Sequence, residues 1–122
     1  MLGAVSASAE QLPGSEWEPV ALNGEAFEPQ SEIFIRFEQD NKVFGNGGCN
    51  TFRGQFLTNG DAILFGPAAT TMMACEEEIS TQEFAFLSSL ESARSYLRDG
   101  TKLEFADKDG KPLLSFIQRD AD

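Results

Sequence analysis

The chain has 122 residues, and its 20 Asp and Glu outnumber nine Lys and Arg, for a formal net charge of −11. Nucleic acid is therefore not an expected partner, because binding to phosphates needs clustered basic side chains. Histidine is absent, which excludes Ser-His-Asp and Cys-His nucleophiles, HExxH proteases and His-ligated metals. Eleven Phe in a chain of single-domain length favour a sheet with a real core.

The first ten residues, MLGAVSASAE, have two interpretations. Ala7-Ser8-Ala9 matches the small-x-small pattern of a signal-peptide cleavage site, but a basic start and a full apolar region are missing. We interpret the segment as the remnant of a signal peptide, and an ordinary disordered terminus is the alternative. The predicted organisation is a flexible segment over 1–16, a single domain over 17–118 and a tail over 119–122. No apolar run is long enough for a transmembrane segment.

Short alternating segments dominate the chain and predict antiparallel strands. In IFIRFE, for example, Ile33, Ile35 and Phe37 share one face. Asn59-Gly60 predicts a hairpin. The predicted strands cover 17–22, 33–38, 42–44, a segment containing Phe52 and Phe56, 62–65, 70–74, 95–98, a segment containing Leu103 and Phe105, and 113–118.

One segment, ISTQEFAFLSSLESAR, has helical periodicity and predicts a helix over 81–94. Ser80 and Glu83 have the spacing of a capping box, and Ile79 and Phe84 that of a hydrophobic staple. The apolar stripe of this helix contains Phe86, Leu87, Leu90 and Ala93.

Turn signals about every ten residues favour an antiparallel sheet curled into a small barrel or sandwich. With a single helix, the predicted fold class is mainly β (α+β).

The two cysteines, Cys49 and Cys75, pose the main chemical question. A bridge between them would close a loop around the predicted hairpin and remove about 3–4 kcal/mol of unfolded-state entropy. The alternatives are two buried free thiols or a thiol-redox site. Reactivity is disfavoured because Glu76, Glu77 and Glu78 follow Cys75 and would raise the pKa of its thiol. Two cysteines alone do not complete a structural zinc site.

Two acidic segments resemble cation sites, but each has a simpler interpretation. Asp107 and Asp109 in DKDG lack the further ligands of a calcium loop and predict a turn. The three glutamates before Ser80 place negative charge near the positive end of the helix dipole. We therefore expect no metal and no cofactor.

Several motifs together resemble the META domain, the family of the heat-shock protein HslJ. They are Trp17 near the start, VFGNGGCNTFRGQF, TTMMAC, the helix and LEFADKDGKPLLSF, and they span about 17–116. The signature residues of the family match Gly45, Gly48, Cys49, Asn50, Phe52, Gly54, Thr71, Met73, Ala74 and Cys75.

The resemblance implies a small β fold with one helix, often exported or lipid-anchored, and linked to heat shock, antibiotic tolerance and virulence. It implies no catalytic residues. No lipobox cysteine precedes Trp17, so a periplasmic or otherwise exported form is expected, and a cytoplasmic one if the thiols are free. We expect a non-enzymatic monomer that binds a protein or apolar ligand, with Asn50, Arg53 and Thr71 as the candidate binding surface. A small lipid carrier is the alternative.

Overall fold

The computed structural model describes residues 11–119, so the signal-remnant interpretation of residues 1–10 and most of the predicted tail lie outside it. It contains ten strands and one helix. In chain order they are β1 Ser15–Leu22, β2 Glu25–Ala26, β3 Phe34–Glu38, β4 Lys42–Asn46, β5 Thr51–Asn59, β6 Ala62–Phe65, β7 Ala69–Thr70, α1 Glu77–Ser92, β8 Ser95–Asp99, β9 Lys102–Ala106 and β10 Pro112–Gln118.

Eight of the strands form a closed antiparallel barrel, which confirms the predicted mainly β class. The order around the wall is β1-β3-β4-β5-β6-β8-β9-β10, and β10 pairs again with β1. Trp17 faces Gln118 where the wall closes. The two short strands lie outside this circuit: β2 pairs with β1, and β7 pairs with β5.

The strands of the barrel wall follow from alternating apolar and polar side chains and from turn-forming residues between them. In β3, Ile35 and Phe37 point inward and are fully buried, while Arg36 between them is half-buried on the outside. The turn into β4 places Asp40 and Asn41 at φ of about +60°, a conformation that Asn and Asp tolerate better than most side chains. The predicted hairpin at Asn59-Gly60 is present, with Asn59 facing Ala62.

Phenylalanines from many strands fill the barrel. Phe105 and Phe116 pack edge to face with ring centroids 5.1 Å apart, and Phe37 meets Phe56 at 5.0 Å. Such pairs add about 0.5–1.5 kcal/mol each beyond the burial of their surface. The largest fully buried side chains are Trp17, Phe37, Phe52, Phe86, Phe105 and Phe116.

The folded part begins before residue 17, the predicted start of the domain. Leu12 is 1% exposed and Ser15 is 3% exposed. The Ser15 hydroxyl donates to the carbonyl of Leu12 (2.5 Å) and accepts the indole N–H of Trp17 (2.7 Å). This short chain of hydrogen bonds satisfies a buried indole.

The helix starts at Glu77 and ends at Ser92, so the predicted range of 81–94 was too late at both ends. Glu76 is the N-cap residue and makes no side-chain capping bond. The amide of Ser80 already donates to the carbonyl of Glu76, so Ser80 lies inside the first turn and the predicted capping box is wrong. Phe84 is 74% exposed, and the predicted staple with Ile79 is therefore also wrong.

The predicted strand over 70–74 is shorter and shifted, because β7 covers only Ala69–Thr70. After it the chain leaves the sheet and runs to the helix. Around the barrel wall, the pairing between β6 and β8 is the shortest, because these strands share a single residue pair, Ala62 with Ser95. The helix α1 packs against β6 and β10, and its own side chains Phe86 and Leu90 are buried. Within residues 11–119, no helix combines the length and apolar character needed to cross a membrane.

Candidate functional site

The glycine-rich loop between β4 and β5 wraps around one carboxylate of the helix. The backbone amides of Cys49 and Asn50 both donate to Oε2 of Glu83, at 3.0 and 2.6 Å. Gly47 lies against the same side chain, because a Cβ added there would be 2.8 Å from Cγ of Glu83. Gly48 adopts φ +118°, which side chains rarely tolerate. Two glycines are thus needed for the loop to approach the helix this closely.

Asn50 is the centre of the network. Its Nδ2 donates to Oε1 of Glu83 at 2.9 Å. Its Oδ1 accepts the Thr71 hydroxyl at 2.8 Å and the amide of Met73 at 2.7 Å. One buried amide side chain therefore connects three separate segments: the glycine-rich loop, the chain after β7 and the helix.

The disulfide joins two of the same segments covalently. Cys49 and Cys75 are bonded, with Cα atoms 6.0 Å apart and a sequence separation of 26. The bridge interpretation is confirmed, and free thiols are excluded for this state. Because Cys75 immediately precedes the N-cap residue Glu76, the bond also ties the helix start to the loop.

Further contacts align the helix with the loop that leads into β3. The side chain of Gln82 accepts the amide of Gln30 at 2.8 Å and donates to the carbonyl of Glu28 at 3.2 Å. The hydroxyl of Ser31 donates to the carbonyl of Gly48 at 2.6 Å. Gln82 and Glu83 together thus hold the helix at this end of the barrel.

The remaining signature glycines serve close packing. A Cβ at Gly45 would be 2.2 Å from the carbonyl oxygen of Phe34 and 2.7 Å from the Phe52 ring. At Gly54 it would be 3.3 Å from the carbonyl oxygen of Pro67. Phe52 itself is buried and packs on Phe86 of the helix, with centroids 6.1 Å apart.

The three residues predicted as a binding surface are not equivalent. Asn50 is only 9% exposed, and both ends of its amide are occupied. Thr71 is exposed, but its hydroxyl is bonded to Asn50. Arg53 lies elsewhere, with its guanidinium 5.1 Å from the centre of the Phe44 ring on the outside of the barrel. The structure therefore brings Asn50 and Thr71 together and places Arg53 apart.

Exposed apolar side chains mark the surface around the network instead. Met72 is 92% exposed, Met73 is 64% exposed and Phe84 is 74% exposed. The amide of Met73 and the carboxylate of Glu83 both bond to Asn50, so the two segments that carry these side chains are held side by side. We call Met72, Met73 and Phe84 the loop–helix surface. Sequence reasoning missed it, although an apolar Phe84 off the helical stripe was a usable signal.

A small cavity lies beside the helix. It has a volume of about 120 Å³ and opens between the helix and the segment that joins β6 to β7. Ala68 and Thr70 lie on one side, and Leu87 and Glu91 on the other. Leu87 and Glu91 also line the neighbouring depression beside Phe84. We call the cavity and this depression, which share Leu87 and Glu91 on α1, the groove.

The DKDG segment forms the predicted turn. Oδ1 of Asp107 accepts the amides of Asp109 and Lys111, both at 2.9 Å. These hydrogen bonds hold the pKa of the Asp107 carboxyl below its usual value. Residues 11–119 hold no group of three Cys, Asp or Glu side chains arranged to ligate a metal.

Known proteins with a similar sequence or fold identify the family of the chain. The model of the META domain matches residues 10–120, and the chain belongs to this family. An NMR structure of a protein from Burkholderia xenovorans is similar, with a TM-score of 0.76, 20% identity, and 99% of this chain and 97% of that one covered. A crystal structure of a DUF4847 family protein from Bacteroides vulgatus is also similar, with a TM-score of 0.70 and 17% sequence identity. The match covers 91% of this chain and 96% of that one. At these identities the likeness concerns the fold. Comparison with curated protein sequences gives no significant match.

Proposed function

We propose that this META-domain protein is an exported, non-enzymatic module of the bacterial envelope that contributes to stress tolerance by binding an apolar segment of another protein. The observation that carries the proposal is the loop–helix surface. It presents Met72, Met73 and Phe84 to solvent at exposures of 64–92%. Exposed apolar side chains that lie together mark interaction sites on soluble proteins, whereas single ones are ordinary.

The support beneath these side chains favours a binding role. Met73 and Phe84 are carried by segments locked together through Asn50, Glu83 and the disulfide. A rigid frame reduces the ordering cost of association. Methionine side chains adapt to irregular apolar partners, because they are unbranched and polarisable. The chain thus combines a fixed backbone with adaptable side chains.

Two observations support export and a non-enzymatic role. A disulfide persists in oxidising compartments such as the periplasm and is rare in the cytosol. The polar signature residues are used within the fold, since Asn50 and Thr71 bond to each other and Asn50 bonds to Glu83. We therefore assign these residues to structure and not to a reaction.

The barrel interior gives less support to a lipid carrier. Six large aromatic side chains inside the fold are less than 2% exposed. The apolar cavity beside the helix is about 120 Å³, whereas pockets for drug-sized ligands hold roughly 300–1,000 Å³. A thermal-shift screen with fatty acids tests this alternative, which predicts saturable stabilisation.

The proposal is tested by complementation in a strain that lacks the gene. Wild-type protein and the Phe84→Ser and Leu57→Ser variants are produced at equal levels, and survival is measured under heat and envelope stress. Leu57 is the matched control, because it is a 61% exposed apolar residue on β5. We expect Phe84→Ser to fail and Leu57→Ser to restore survival. Full rescue by Phe84→Ser would overturn the assignment of the loop–helix surface.

A further inference from the structure

The cavity beside α1 has the size of one side chain. Its volume is about 120 Å³, and its walls include Phe52, Phe65, Ala68 and Leu87. An apolar cavity of roughly 150 Å³ holds a single benzene molecule. The space therefore suits one leucine- or valine-sized group and is too small for a lipid tail.

An unused strand edge lies at the mouth of this cavity. Phe52 of β5 faces Thr70 of β7, and the next amide, that of Thr71, donates to the carbonyl of Thr51 at 3.2 Å. Because hydrogen-bonding directions alternate along a strand, the N–H and C=O of Thr70 point away from β5. Among residues 11–119, β7 pairs with no strand besides β5. Thr70 thus offers one backbone donor and one acceptor beside the apolar cavity.

The carboxylate of Glu91 lies at the same opening. Glu91 is exposed and lines both the cavity and the depression beside Phe84. In the described part of the chain its carboxylate makes no ion pair, and the nearby Arg94 directs Nη1 to the carbonyls of Glu91 and Ala93. With a net charge of −11, the protein favours a partner that carries a cation at this point.

We infer that the groove binds an extended peptide segment of another protein, with one aliphatic side chain in the cavity and a Lys or Arg beside Glu91. The main chain of the segment pairs with Thr70, as in β-strand addition. The apolar cavity selects the anchor, the strand edge aligns the backbone, and the carboxylate selects a basic neighbour. This inference rests on the proposed function and names the kind of partner.

The test is an NMR titration of the ¹⁵N-labelled full chain, with its disulfide intact, using a nine-residue peptide. The peptide has one leucine and, two positions later, one lysine in a Ser, Thr and Gly background, so that both side chains lie on the same face of the strand. We expect saturable shifts of the amides of Gly66, Ala68, Thr70 and Leu87, with a dissociation constant on the order of 1 mM, since one anchor supplies little affinity. Serine in place of the leucine should weaken binding about tenfold or more. Glutamate in place of the lysine should weaken it severalfold.

Protein variants separate the contributions. Thr70→Pro removes an N–H that β5 does not use, which an edge strand tolerates, and it should weaken peptide binding at least severalfold with little change in melting temperature. Glu91→Lys should weaken binding severalfold. Glu25→Lys is the matched control, because Glu25 is an exposed glutamate on β2, and it should leave binding unchanged.

Three outcomes would overturn the inference. Shifts confined to Met72, Met73 and Phe84 would remove the cavity from the binding site while leaving the proposed function intact. Concentration-dependent self-association, with the same shifts in the absence of peptide, would make a second copy of the chain the occupant. If the peptide causes no shifts, the cavity does not bind an aliphatic side chain and the inference is wrong. The complementation result for Phe84→Ser would then decide the proposed function independently.

Discussion

Asn50 and Glu83 are joined by two hydrogen bonds, one from the Asn50 amide to Oε2 at 2.6 Å and one from Nδ2 to Oε1 at 2.9 Å. The pair connects the glycine-rich loop with the helix across 33 positions of sequence. Hydrogen bonds to a carboxylate are stronger than those between neutral groups. This contact therefore determines how the helix and the loop are placed at one end of the barrel.

Replacement of Glu83 should destabilise the protein more than replacement of an exposed glutamate. Glu83→Gln replaces one acceptor oxygen by an NH₂ group, which cannot accept a hydrogen bond. At least one of the donors that now bond to the carboxylate, the amides of Cys49 and Asn50 and Nδ2 of Asn50, is then left unsatisfied. We expect a loss of about 1–3 kcal/mol in the free energy of unfolding, measured in urea. Glu78→Gln, at an exposed position in the first turn, is the control. Equal losses in the two variants would contradict the role of Glu83.

The disulfide should contribute a large part of the stability. Reduction, or replacement of Cys49 and Cys75 by serine, opens a loop with a sequence separation of 26. We expect a loss of about 3–4 kcal/mol in the free energy of unfolding. Melting curves with and without reductant measure it for the wild type. The double-serine variant is the control and should not respond to reductant. A wild-type melting temperature unaffected by complete reduction would show that the network holds the loop without the bond.

Gly45 and Gly66 form a matched pair for close packing. A Cβ at Gly45 would overlap the backbone of Phe34 at 2.2 Å, whereas at Gly66 the nearest atom is 3.8 Å away. Gly45→Ala should therefore cost about 1–3 kcal/mol or more. Gly66→Ala should change stability by less than about 0.5 kcal/mol. Urea unfolding measures both, and a tolerated alanine at position 45 would mean that β3 and β4 can separate without loss.

Asp107 should give the protein an acid-sensitive turn. Backbone hydrogen bonds from Lys111 and Asp109 hold its pKa below the usual 3.8. The ionised form is thus favoured in the folded state, and its contribution is present above pH 3.8 and is lost as the pH falls through the folded pKa. The stability difference between wild type and Asp107→Asn should shrink over this range. A stability difference that does not change over this range would contradict the role of Asp107.

Local patterns predicted most of the barrel. The alternation in β3 and the hairpin at Asn59-Gly60 depend on neighbouring residues alone, and both are present as expected. The family signature and the bond between Cys49 and Cys75 were also accessible from the sequence. These features were predictable because side-chain period and turn preference act over a few residues.

Glu83 shows where local reasoning failed. Its spacing from Ser80 satisfies the rule for a capping box, yet the carboxylate bonds to Cys49 and Asn50, more than 30 positions earlier. Both loop amides donate to Oε2 of Glu83, whereas Glu77 and Glu78 at the start of the helix are exposed to water. The tertiary contact therefore prevailed over the local one, and the helix began at Glu77.

The sequence by itself determined the fold class, the family and the strand alternation, and it made a bond between the two cysteines one of three interpretations. Only the tertiary structure decided that Asn50 is a buried link, that Arg53 lies apart from it, and that Phe84 stands exposed beside Met73. The physical reason is that burial and hydrogen-bond partners depend on which distant segments meet. In this chain the glycine-rich loop, the segment after β7 and the helix meet at Asn50 and Glu83.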